Sequence, residues 1–151
     1  MKYSQGITLI EVLVAILLFS GGLLGVAAMQ AQSLKMAGNS SALSLAVMQA
    51  SNIIDRMQAN PQGINAGSYN AISGNSYTKP TCATTCTPAQ IAAFDAFQWS
   101  TENSNLLDNG AGTVTNVAGT NLYTVVLSWI ERGKDADDNK SYQVTFMPYQ
   151  P

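Results

Sequence analysis

The chain has 151 residues, a net charge of −2 and only 11% charged residues, against roughly 25% in soluble proteins. It holds no histidine and two cysteines, which removes the commonest general base and the commonest metal ligand. Lysine and arginine are scattered singly, so no nucleic-acid surface is expected. No catalytic residue set, phosphate cradle, metal site or cofactor site emerges either.

Residues Ile7 to Met29 are apolar or small apart from Thr8, Glu11 and Ser20. A helix of that length spans the ~30 Å hydrocarbon core of a bilayer. Lys2 in the short leader is a weak positive-inside signal that keeps the leader cytoplasmic. Glu11 is the exception that matters, because no further charge follows it until Lys35. An ionised acid at bilayer depth costs roughly 3 kcal/mol or more, so Glu11 is a functional candidate that needs a partner. A plain single-pass anchor explains the apolar run but leaves Glu11 unexplained. A secretory signal peptide, cut after Val26-Ala27-Ala28, wants an uninterrupted apolar core, which Glu11 spoils. Cleavage after Gly6 would instead make Ile7 a new amino terminus, whose positive charge pairs with Glu11 of the next subunit.

The stretch Gly6-Ile7-Thr8-Leu9-Ile10-Glu11-Val12-Leu13-Val14 resembles the class III signal of type IV pilins and type II secretion pseudopilins. The resemblance implies that a prepilin peptidase cleaves after Gly6 and methylates the amino group of Ile7, and that Glu11 serves subunit assembly. Ile7 departs from the family, which usually carries Phe at that position. Gly21, Gly22 and Gly25 each cost a helix ~1 kcal/mol relative to Ala. Close helix packing in the bilayer and local melting on entry into a filament both account for them.

From Gln30 to Ala59 there is no proline, and the pattern turns amphipathic. Leu43, Ala46, Val47, Ala50, Ile54 and Met57 are expected on one helical face, with Ser40, Ser44, Ser51 and Gln58 opposite. A continuous helix from Ile7 to Ala59 would be on the order of 80 Å long. Asn60-Pro61 should end it, because proline disfavours a helical residue before it. Asp55 and Arg56 are adjacent and face different ways, so a solvated edge is expected for both. The stretch Ile53 to Pro61 is similar to PilV-type minor pilins, which narrows the family resemblance.

Gln62 to Pro80 is rich in Gly, Asn, Ser and Tyr and reads as a long surface connection. Tyr69 and Tyr77 are expected to cover a small core rather than to meet a partner. Cys82 and Cys86 lack the further ligands that a metal needs and the two-residue gap of a redox motif. A structural disulfide in an oxidising periplasm is the expectation. Thr87-Pro88-Ala89-Gln90 is a capping box with proline at the first helical position. A short helix over 88–99 should follow, docking through Ile91, Phe94 and Phe97 or Gln98, with Trp99 closing its end.

Leu122 to Glu131 and Ser141 to Met147 are rich in β-branched and aromatic residues and should pair as an antiparallel hairpin. Tyr123, Val125, Leu127 and Trp129 share one face of the first, and Tyr142, Val144 and Phe146 one face of the second. Gly112 to Val117 is expected to add a third strand. The acids Asp135, Asp137 and Asp138 beside Asn139 have calcium-like spacing. Lys140 replaces the required glycine and no Glu closes the site, so a solvated loop is expected.

The expected layout is an α+β pilin fold. Residues 1–6 form the leader, 7–29 the transmembrane half of a long helix, and 30–59 its amphipathic half. A periplasmic head over 60–151 carries the loop 60–81, the helix 88–99 and the sheet 112–148. The resemblance implies an inner-membrane subunit that joins other minor pilins and the major pilin, primes pilus assembly and ends at the cell surface. Inner-membrane lipid is its other partner. A minor pseudopilin of type II secretion and a membrane-anchored periplasmic adhesin remain the alternatives.

Overall fold

The computed structural model describes residues 8–74, 77–81, 85–131 and 139–149. The chain divides into two compact units, Met1–Gly38 and Asn39–Pro151. Helix α1 runs over Leu9–Ala59, as the proline-free sequence predicts. Three of its six serines donate their hydroxyls back to the preceding turn: Ser20 to Leu17 O at 2.9 Å, Ser44 to Ser40 O at 3.0 Å and Ser51 to Val47 O at 3.1 Å. Such back-bonding removes the polar cost of a hydroxyl in apolar surroundings.

In the first unit every described residue from Thr8 to Gly38 is exposed. Exposure therefore continues nine residues beyond Met29, where the amphipathic half was expected to begin. In the second unit α1 buries Ala46, Gln49, Ala50, Ile53 and Met57. This stripe is rotated from the expected one. Leu43 and Val47 remain 47% and 39% exposed, and Ile54 is only half-buried. Ser40, Ser44, Ser51 and Gln58 are exposed, as expected.

Pro61 ends α1 and also opens a five-residue helix, α2, Pro61–Asn65, for which Asn60 is the N-cap. Proline at a first helical position lacks only an N–H that would be unpaired there anyway. A three-residue strand, β1, Ala71–Ser73, follows. The expected loop over 60–81 thus contains two elements that propensity did not reveal. Helix α3 spans Pro88–Leu106, seven residues past its expected end at Trp99. Its last turns are Ser-, Thr- and Asn-rich, and three hydroxyls there bond back to carbonyls one turn earlier. Burial of Trp99 and Leu107 in the core along this stretch outweighs the poor helix propensity of Ser100 and Asn103.

Strands β2 (Ala111–Asn116), β3 (Tyr123–Ile130) and β4 (Asn139–Phe146) complete one antiparallel sheet of order β1-β2-β3-β4. The expected hairpin has Tyr123 opposite Phe146 and Leu127 opposite Tyr142. The third strand pairs Val114 with Val125, and β1 then pairs Ile72 with Val114. Tyr123, Val125, Leu127 and Trp129 are all buried, alternating with half-buried neighbours. They meet the buried stripe of α1, with Tyr69, Ile72, Ala92, Ala96 and Trp99, in one core. Tyr142, Val144 and Phe146 pack on its margin. Asn139 and Lys140 open β4, whereas Lys134, Asp135, Asp137 and Asp138 lie outside the described residues.

Candidate functional site

Glu11 lies in the first turn of α1, where a carboxylate is favourable beside the positive end of the helix dipole. With Val12, Ala15, Ile16 and Phe19 it lines a shallow apolar groove along one face of the helix. Around it the helix is apolar on every side: Leu17, Phe19 and Leu24 are 70%, 69% and 72% exposed. Helix α1 is long and apolar enough to cross a membrane. A helix hydrophobic all round needs a bilayer or neighbouring helices to cover it. Nothing within 4 Å would meet a Cβ at Gly21, Gly22 or Gly25, so packing within the chain does not require those glycines. Gly6 and Ile7, where cleavage is expected, lie outside the described residues.

The second unit is held by a polar cluster between the end of α1, α2 and α3. Asp95 of α3 is buried and accepts a 2.6 Å bond from the Tyr69 hydroxyl. Arg56 Nη1 stands 3.5 Å from the other oxygen of Asp95. The same nitrogen donates to Gln98 Oε1 at 2.8 Å, Arg56 Nε donates to Asn52 Oδ1 at 2.6 Å, and Nη2 lies 3.6 Å from Glu102. Asn60 Nδ2 donates to the Tyr69 hydroxyl at 3.1 Å and to Pro88 O at 2.8 Å, while its Oδ1 caps Gly63 N at 3.1 Å. Burial, then the bond to Asp95, pushes the Tyr69 phenol well above its ordinary value, so it stays protonated as a donor.

These contacts correct two expectations. Arg56 is no solvated edge but the bridge from α1 to α3, although its neighbour Asp55 is exposed. The docking face of α3 is not Ile91 and Phe94, which are 37% and 40% exposed. It is Ala92, Asp95, Ala96, Trp99, Ser100 and Asn103. Small alanines admit a close neighbour, and Trp99 reaches α1 by donating from Nε1 to Gln49 O at 2.9 Å. Trp99 therefore anchors the middle of α3 rather than its end. Gly112 makes room on the sheet side: a Cβ there would run into the Trp99 ring and the Asn103 amide. The i, i+4 spacing of Asn52 and Arg56, and Asp95, Gln98 and Glu102 on successive turns, were the available sequence signals for this cluster.

The predicted capping box is present, with Gln90 N donating to Thr87 Oγ1 at 3.3 Å and Thr87 N to Gln90 Oε1 at 2.9 Å. Tyr69 is fully buried and Tyr77 packs on the core, as expected. Cys82 lies outside the described residues, and no described cysteine is a free thiol. Among the described residues no group of three His, Cys, Asp or Glu could hold a metal. The arrangement offers an apolar helix with one acid in the first unit, and a polar cluster that braces the second.

Two family models match. Residues 1–27 match the prokaryotic N-terminal methylation motif, and residues 28–97 match the family described as type IV pilin Tt1218. Neither curated proteins nor solved structures gave a match. The adjoining matches and the fold support the type IV pilin superfamily, pilin or pseudopilin.

Proposed function

We propose that the chain is a minor pilin of the PilV type, a structural subunit that helps prime assembly of a type IV pilus, near its tip. The observation that carries this reading is the all-round apolar first unit of α1, broken by Glu11 alone among charged residues up to Lys35. The methylation motif implies processing by a prepilin peptidase and pilin partners. Cleavage falls after Gly6, and Ile7 carries the methylated amine. The helix first stores the subunit in the inner membrane, with residues 60–151 in the periplasm. Glu11 then docks to the Ile7 amine of a neighbour as the helices pack into the filament, because a buried charge is tolerable only when paired. The other minor pilins and the major pilin supply those neighbours at the cell surface.

A Cys82–Cys86 disulfide pins the entry to α3 and adds on the order of 2 kcal/mol. Mature amino-terminal sequencing tests the reading: methylated Ile7 supports it, whereas an intact Met1 or a start at Met29 overturns it. A deletion that abolishes secretion but spares pili would assign the chain to a type II secretion system instead.

A further inference from the structure

A second site lies on the far side of α2, in the turn before β1 and the connection between β2 and β3. There a cleft of about 210 Å3 is lined by Asn65, Asn70, Asn116, Thr120, Asn121 and the buried Tyr123. No carboxylate and no cation lines it. Calcium would want several carboxylate oxygens, and an anion would want arginine, lysine or a helix N-terminus. Neutral amides offer donors and acceptors together, which suits hydroxyl groups.

Two of those amides are fixed with one free end each. The Tyr123 hydroxyl donates to Asn70 Oδ1 at 2.7 Å, which leaves Asn70 Nδ2 as a donor without a partner among the described residues. Asn116 Nδ2 donates to Thr120 O at 3.3 Å and Leu122 O at 3.2 Å, which leaves its Oδ1 as an acceptor in the same condition. The backbones of these two residues are joined by Asn116 N donating to Asn70 O at 3.2 Å. A donor and an acceptor, each on an amide whose other atom is hydrogen-bonded, thus stand on two backbone-paired residues. Gly67, at φ 72°, keeps the wall clear, because a Cβ there would press on Asn70 Nδ2 at 2.9 Å. The cleft is smaller than the roughly 300–1,000 Å3 of drug-sized pockets, so it has room for one ring and not for a chain.

We propose that this cleft binds a single neutral sugar ring, one hydroxyl accepting from Asn70 Nδ2 and its neighbour donating to Asn116 Oδ1. The test is saturation-transfer NMR on the full chain in dodecylphosphocholine micelles, which present no sugar headgroup. The probes are four neutral sugars, D-glucose, D-galactose, D-mannose and N-acetyl-D-glucosamine, with N-acetylneuraminic acid as an anionic control, each at roughly 10 mM to suit a contact of a few hydrogen bonds. Transfer to the ring protons of at least one probe is expected. Asn70→Asp removes the free donor but keeps an oxygen for Tyr123, and should weaken that binding roughly tenfold. Should Asn70→Asp unfold, Asn65→Trp fills the cleft from an exposed position and should abolish the transfer. Silence from all four sugars, equal transfer from the variants, or transfer only from the anionic N-acetylneuraminic acid would overturn the assignment. The cleft lies in the second unit alone, so its failure leaves the pilus reading untouched.

Discussion

Tyr69→Phe removes one oxygen from the centre of the polar cluster and leaves the buried ring in place, so no cavity forms. Asp95 loses its 2.6 Å donor but keeps Arg56, and Asn60 keeps Pro88 O as an acceptor. A hydrogen bond to a charged group is worth about 1.5–3 kcal/mol, which sets the expected loss near 2 kcal/mol. For a unit of this size that lowers Tm by roughly 8–12 °C. Thermal unfolding of the full chain in micelles, followed by tryptophan fluorescence, reads it directly, because Trp99 and Trp129 are both buried in the same core. The pH dependence supplies a second signature. The folded phenol is raised, so its stabilisation is complete below the unfolded value of about 10 and is lost as pH climbs from there toward the folded value. The gap between wild type and Tyr69→Phe should therefore narrow above about pH 10. A Tm within a degree or so of wild type, or a gap that stays constant into strong alkali, would refute the role given to this bond.

Three further outcomes are expected. Gly112→Ala drives a methyl into the Trp99 ring and should cost about 1–3 kcal/mol, visible as a lower urea midpoint with altered tryptophan emission. Thr87→Ala deletes the cap of α3 and should cost about 1 kcal/mol, measured by the same titration. Glu11→Ala should leave leader cleavage intact by mass spectrometry yet reduce the subunit in sheared pili, and normal incorporation would count against the pairing mechanism.

What the sequence determined by itself was the extent of the long helix, the start of α3 and the strand alternation. An unbroken proline-free run dictates α1 up to Ala59. Thr87, Pro88 and Gln90 dictate where α3 begins, and strict alternation dictates which face of β3 is buried. The lone acid of Glu11 could likewise be singled out, because charge at membrane depth stands out in any reading. Tertiary structure decided the rest. Strand β1 exists only because Ile72 finds Val114 across the sheet; three residues carry no period of their own. Helix α3 runs on through Ser100 and Asn103 because Trp99 and Leu107 on either side of them are buried in the core, which outweighs their weak propensity. Leu43 and Val47 lost the core face to Gln49 and Ile53, and Phe94 lost it to Asp95 and Trp99. Hydrophobicity alone would not have placed Gln49 or Asp95 on the core face. The deciding contacts were Trp99 with the Gln49 carbonyl, and Arg56 and Tyr69 with Asp95. Each joins residues at least 26 positions apart, beyond the reach of any local pattern.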